Sequence, residues 1–227
     1  MKASSVVKGS GSGPVTNRQK GPHAHMVSLD PGNNFLLVPD LGTDKVLIYD
    51  FDRSSGVLTP NPTQAFLELD PGSGPRHLVF HPDGNFVYVV NELSSTVTAC
   101  RYDKDQGRLT SMQTVSTVPE SHEGAKYPAA IRIHPDGNFL YASTRGENSK
   151  LSVFRVEDDG RIHRIKEVGV THWPRDFNIH PSGKFLLAAG ERSGVIELYH
   201  IDEESGTLSK ADAELQLPAP GCILYLD

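Results

Sequence analysis

Apolar and polar positions alternate in short runs along most of this chain. Between Gly74 and Asp103 three such runs stand out, His77–Phe80, Phe86–Val90 and Thr96–Tyr102, and Leu109–Val115 follows after Lys104–Arg108. A period of two in β-branched and aromatic residues predicts strands rather than helices. Pro82-Asp83-Gly84 predicts a tight turn, because proline presets φ and glycine accepts a positive φ. The stretch therefore reads as a four-stranded meander of about fifty residues.

The rest of the chain repeats it. Asp30-Pro31, His81-Pro82, His134-Pro135 and His180-Pro181 each close a first strand, with the prolines 51, 53 and 46 residues apart. Phe35, Phe86, Phe139 and Phe185 then open the second strands, and an acidic, glycine-containing turn follows each third strand. Four strands per unit at this period is the mark of a β-propeller blade. The predicted fold is all-β, a β-propeller of four-stranded antiparallel blades with almost no helix. Residues 1–20 read as a linker or the remnant of an earlier blade, and residues 21–227 as four repeats plus the start of a fifth. Gln64–Leu69 is expected to be the outer strand of the first repeat, and Pro218–Asp227 the first strand of the fifth.

Composition narrows the function. The net charge is −6 and Lys and Arg form no runs, so neither nucleic acid nor a membrane surface is an expected partner. Cys100 and Cys222 are too few for a disulfide framework and read as thiols in a reducing compartment. No stretch has the length of a membrane span and no apolar leader core is present, which gives the cytoplasm as the expected location. Oligomeric state is left open.

Candidate chemistry emerges where the repeats stop matching. In a meander, the segments entering first strands and those leaving second strands lie on one face. Counting back from each proline, the entry position is His25, Arg76, Ala129 and Arg175, and the next is Met26, His77, Ala130 and Asp176. The position after the second strand is Leu41, Glu92, Arg145 and Glu191. Equivalent structural positions should look alike, and these do not. His81, His134 and His180 recur at one position and are assigned to the turns. His23 and His25 would share a strand face, but no acidic partner sits at a matching spacing, so no metal is expected. No nucleophile elbow or phosphate-cradling glycine loop is present, and no cofactor is expected.

The segments Gly21–Pro31, Gly74–Val97 and Pro174–Leu187 resemble the lactonase family of seven-bladed β-propellers. That family includes a 6-phosphogluconolactonase and the fungal 3-carboxy-cis,cis-muconate lactonizing enzyme. The resemblance implies an incomplete ring whose missing blades precede residue 20. It also implies a catalytic set of Glu92, Arg76, His25 and Arg175, with His23, His77, Asp176 and Asn178 touching substrate. The implied activity is hydrolysis of a sugar lactone, 6-phosphogluconolactone first, so the expected partner is a small anionic lactone. A carboxymuconate-type cycloisomerase and a non-catalytic binding platform are the alternatives. In the hydrolase, arginine would stabilise the tetrahedral oxyanion, a second arginine would grip an anionic substituent, Glu92 would activate water, and His25 would donate or orient a proton.

Overall fold

A computed structural model describes residues 3–226. Met1 and Lys2, in the expected linker, and Asp227, in the expected fifth repeat, lie outside the described residues. The described residues contain no helix, and none therefore long and apolar enough to cross a membrane.

Four antiparallel sheets follow one another in chain order. The first contains β1 (Ser28–Leu29), β2 (Phe35–Asp40), β3 (Lys45–Asp52), β4 (Val57–Pro60) and β5 (Phe66–Glu68). The second is β6 (Pro75–Phe80), β7 (Phe86–Asn91), β8 (Thr96–Asp103) and β9 (Arg108–Ser116). The third is β10 (Tyr127–Ile133), β11 (Phe139–Arg145), β12 (Lys150–Val156) and β13 (Ile162–Gly169). The fourth is β14 (Pro174–Ile179), β15 (Phe185–Gly190), β16 (Val195–Ile201) and β17 (Leu208–Gln216). The first strands approach one another most closely, β6 with β10 and β10 with β14, which puts them nearest the axis.

The core consists of three seams between adjacent blades rather than one centre. Second strands face two seams at once, which is why they read as nearly continuous apolar runs. In β7, Phe86, Tyr88 and Val90 enter the seam with the third sheet, while Val87 and Val89 enter the seam with the first. In β11, Phe139 and Tyr141 pack toward the fourth sheet, and Leu140 and Ala142 toward the second. Each valine, leucine or phenylalanine among them contributes about 1.5–3 kcal/mol when fully buried.

The repeating phenylalanines and histidines lock one blade to the next. A Cβ on Gly160 would stand 2.2 Å from the Phe86 ring, and one on Gly206 would stand 2.3 Å from Phe139. His134 bonds through Nε2 to the Gly183 carbonyl at 2.9 Å, while its Nδ1 accepts the Asp136 amide at 3.4 Å. His81 lies in the same way against Gly137, 3.3 Å from its carbonyl. These histidines serve the turns and the seams.

Three details depart from the sequence reading. The outer strand of the first blade is broken: β4 and β5 both pair with β3, and the segment between them folds back on Asn61. The Asn61 carboxamide accepts the Thr63 and Gln64 amides at 2.8 Å and donates to Asp50 at 2.9 Å, satisfying the interrupted ladder. The first strand of that blade is also short, continued only by a bridge between Ala24 and Asp40. Residues 217–226 form no strand, although side chains of β14 hold them, as described below.

Candidate active site at the loop face

The site is built from bulges. Pro75 pairs with Asn91 and His77 with Val90, so Arg76 is an extra residue in β6. Pro174 pairs with Gly190 and Asp176 with Ala189, which makes Arg175 the extra residue in β14. A bulge bends its strand and re-aims the side chain it carries. Here it turns both arginines toward the end of the neighbouring second strand.

Glu92 is the centre. It follows β7 directly, its amide donates to the Gly74 carbonyl at 2.8 Å, and only 4% of its surface is exposed. Three guanidinium groups surround its carboxylate. Arg145 donates to Oε2 at 2.6 Å. Arg76 Nε lies 3.0 Å from the same oxygen, but its N–H is not aimed along that line, so this is an ion contact rather than a hydrogen bond. Arg18 takes the other oxygen, Oε1. Arg76 also donates to the Ala129 carbonyl at 2.6 Å, and Arg145 to the Tyr127 carbonyl at 3.1 Å. The seam between the second and third blades is thereby crossed in both directions.

Electrostatics follow from this crowding. Burial pushes the Glu92 carboxyl up, but Arg145, Arg18 and Arg76 together outweigh it, and the group sits below the usual carboxylate range. Burial, reinforced by Arg145, lowers Arg76 to about 10. Burial also lowers Arg145, against the pull of Glu92. Three cations on one carboxylate leave excess positive charge, an environment suited to an anion.

The structure brings Arg76 and Glu92 into contact and places His25 within their field. Burial, then Arg76, lowers the His25 imidazole to about 4. His23 stacks on His25 with ring centroids 4.6 Å apart and is itself exposed. His77 Nε2 lies 3.0 Å from Arg76 Nη1 and must accept, since guanidinium only donates. Burial and Arg76 bring His77 down to about 2. Arg175 is less central: it is 3.4 Å from Glu191 at its own blade's rim, with 41% of its side chain exposed.

Asp176 and Asn178, expected against substrate, are instead committed to the chain itself. Asp176 accepts from Arg132 at 2.9 Å and from the Ile223 amide at 2.9 Å, so both carboxylate oxygens are occupied. Asn178 donates to the Ile223 carbonyl at 3.1 Å. They hold the extended C-terminal segment beside β14.

Two charged members of the cluster were not among the sequence candidates. Arg145 occupies the Glu92 position of the third blade, and the repeat alignment displays it, but the signal that it reaches into the preceding blade lies in packing. Arg18 belongs to no repeat. Trp173 is a third addition: it adopts φ 62°, its ring carries the Arg192 guanidinium at 3.3 Å, and Arg145 lies 5.9 Å away. Among the described residues no three His, Cys, Asp or Glu side chains gather as a metal would require.

Residues 1–225 match the family described as Lactonase, 7-bladed beta-propeller. The chain belongs to that family. It is 35% identical over 218 residues to the 6-phosphogluconolactonase of Bacillus subtilis (strain 168), covering 95% of this chain and 60% of that enzyme. A 6-phosphogluconolactonase of Yersinia pestis (strain Pestoides F) is 38% identical over 201 residues, covering 86% of this chain and 58% of the relative. Among solved structures, a Bacteroides fragilis protein superposes with a TM-score of 0.93 at 34% identity, covering 99% of this chain and 63% of that one. The periplasmic gluconolactonase of Pseudomonas aeruginosa gives 0.89 at 32% identity, covering 96% and 60%. The chain thus spans about three-fifths of the length of these relatives.

Proposed function

We propose that this protein hydrolyses a sugar lactone, with 6-phosphogluconolactone as substrate. The observation that carries the reading is the buried Glu92 carboxylate clasped by Arg18, Arg76 and Arg145 on the loop face, in a chain whose relatives are named lactonases. Hydrolysis adds water to the lactone carbonyl and breaks the bond from that carbon to the ring oxygen, through a tetrahedral oxyanion. Buried guanidinium donors beside that oxygen stabilise the developing charge, by roughly 3–4 kcal/mol for one good donor. Glu92 is ionised at neutral pH and can orient the attacking water and accept its proton. Its arginines make it a weak base, so its strength depends on how many remain paired with it. His25, neutral at pH 7, can relay a proton: one ring nitrogen accepts it from a water molecule as the other donates its own to the leaving ring oxygen, so the ring stays neutral. Arg175, at the rim, is a candidate contact for the substrate's anionic group. We assign the protein to the cytoplasm, a reading supported by its two free cysteines, Cys100 and Cys222.

The test is turnover of freshly generated 6-phosphogluconolactone, followed by product formation above the spontaneous rate. Arg76→Ala abolishes it on this reading. Turnover of a carboxymuconate instead, or no loss in the variant, refutes it.

A further inference from the structure

Residues 13–19 connect no strands, yet they place a charge on Glu92. The backbone here closes a single turn: the Arg18 and Gln19 amides both donate to the Val15 carbonyl at 2.8 Å, and the Gly13 amide to the Gln19 carbonyl at 3.1 Å. Gln19 is fully buried and uses its whole carboxamide. It donates to the Leu41 carbonyl at 2.8 Å and to Asp44 at 2.7 Å, and accepts the Val15 amide at 2.9 Å. The base of Arg18 is therefore fixed to the first blade.

Its guanidinium is not fixed. Among the described residues it bonds only Glu92, whereas Arg76 and Arg145 are also pinned to backbone carbonyls. The exposures differ in the same sense: 34% of the Arg18 side chain is open to solvent, against 4% for Arg76 and 8% for Arg145. Arg76 and Arg145 share Oε2, and Arg18 alone occupies Oε1. An arginine on a fixed base, over a cluster with surplus positive charge, is suited to a phosphate dianion, which its planar fork binds by paired hydrogen bonds.

We propose that Arg18 selects a phosphate-bearing substrate: its guanidinium leaves Glu92 Oε1 for the phosphate, and the freed oxygen faces the reacting carbonyl. The identity of the anion rests on the lactonase reading above. Binding then does two things at once. It anchors the substrate, and it removes one cation from Glu92, making that carboxylate a stronger base only when the right ligand is present.

The test titrates 6-phosphogluconate and gluconate, which lacks the phosphate, into the unsubstituted chain, Arg18→Gln and Arg18→Lys by calorimetry, with thermal unfolding to verify the fold. Arg18→Gln should lose about 10- to 100-fold in affinity for 6-phosphogluconate, the worth of one charge-assisted hydrogen bond, with a much smaller loss for gluconate. Arg18→Lys should recover part of it. In the unsubstituted protein, the Arg18 side-chain NMR resonance should move with 6-phosphogluconate and stay in place with gluconate. Equal losses for the two ligands, no loss, or no preference by the unsubstituted chain overturns the assignment. Lactone turnover is measured separately. Selective binding without turnover counts against the lactonase reading alone, and turnover with unchanged selectivity in Arg18→Gln counts against Arg18 alone.

Discussion

Replacing Glu92 by glutamine keeps the shape of the side chain and removes its charge, and its effect reaches beyond catalysis. In the native protein the carboxylate partly offsets two guanidinium groups that are themselves buried, with 4% and 8% of their side chains exposed. Without it, Arg76 and Arg145 remain in the seam as uncompensated charges. Breaking one buried pair in this way costs about 3–5 kcal/mol. Arg18 adds under about 1 kcal/mol, because a third of its side chain is solvated and screened. For a chain of this length each kcal/mol moves the melting temperature by about 2–4 °C, so Glu92→Gln should melt about 10 °C below the parent at pH 7.

The pH dependence gives a second, independent check. Glu92 has an ordinary carboxylate value of 4.5 and is held below it in the folded protein. A depressed folded value means stabilisation that is complete above the unfolded value and is lost as pH falls through the folded one. Glutamine resembles the protonated acid. The gap between parent and Glu92→Gln should therefore be widest near neutral pH and close under acid conditions. Inorganic phosphate should narrow it at pH 7 by replacing the missing anion. The assay is thermal unfolding by circular dichroism across pH, with and without phosphate. If the variant melts with the parent at pH 7 in low salt, the three arginines are not held by Glu92 and the account of the site fails.

Other perturbations test other levels of the structure. With His25 neutral down to about pH 4, kcat/KM should keep its value well below pH 6, and an acid limb near the ordinary histidine value would contradict the burial of that ring beside Arg76. Gly183→Ala puts a methyl group 2.6 Å from the His134 ring at a residue with φ 75°, and should cost about 1–3 kcal/mol in urea unfolding. Tyr141→Phe removes the 2.8 Å bond to the buried Gly206 carbonyl and should cost about 1–2 kcal/mol by the same measurement. Asn178→Leu should speed hydrogen exchange in residues 218–226 while leaving the second blade protected, since Asn178 binds that segment through Ile223.

What could be read from the sequence was whatever obeys a period. Alternation located the second strands, and Phe86 and Phe139 announced themselves by recurrence because each meets a glycine in the next blade. The turn histidines were legible for the same reason. The departures are local solutions to backbone hydrogen bonding, and they leave little trace in a hydrophobic pattern. Asn61 ends β4 by satisfying the groups a continuous strand would have paired. The bulges at Arg76 and Arg175 add one residue without changing composition. Arg18 lies in a segment rich in Gly and Ser that reads as a linker, and only the buried bonds of Gln19 show that it is anchored. Asp176 and Asn178 sat at promising repeat positions, but position in a repeat says which way a side chain starts, not what it meets.

The positions entering the first strand and leaving the second recur at one fixed interval: His25 with Leu41, Arg76 with Glu92, Ala129 with Arg145, Arg175 with Glu191. The second and fourth blades each form an internal ion pair at this place, at 3.0 Å and 3.4 Å. The fourth pair is open to solvent and satisfies itself. The third blade has Arg145 where its neighbours have glutamate, and alanine where they have arginine, so no carboxylate of this pair of positions faces Arg145. Besides the Tyr127 and Pro128 carbonyls of its own sheet, it takes Glu92 of the second blade. Arg145, with Arg18, thereby converts a simple pair into a cluster with surplus positive charge, and the Ala129 carbonyl receives Arg76. The first blade has Leu41 at the same place and lends only its carbonyl, through Gln19, to anchor Arg18. Two scaffold positions thus supply Glu92, Arg76 and Arg145 in the second and third blades and a self-contained Arg175–Glu191 pair in the fourth, and the unlike residues at like positions are what make a site of these turns. Restoring the pair inside the third blade, by Ala129→Glu, should draw Arg145 back from Glu92 and weaken anion binding without altering a single residue of the cluster; undiminished binding of 6-phosphogluconate by that variant would show that the surplus charge is not what holds the ligand.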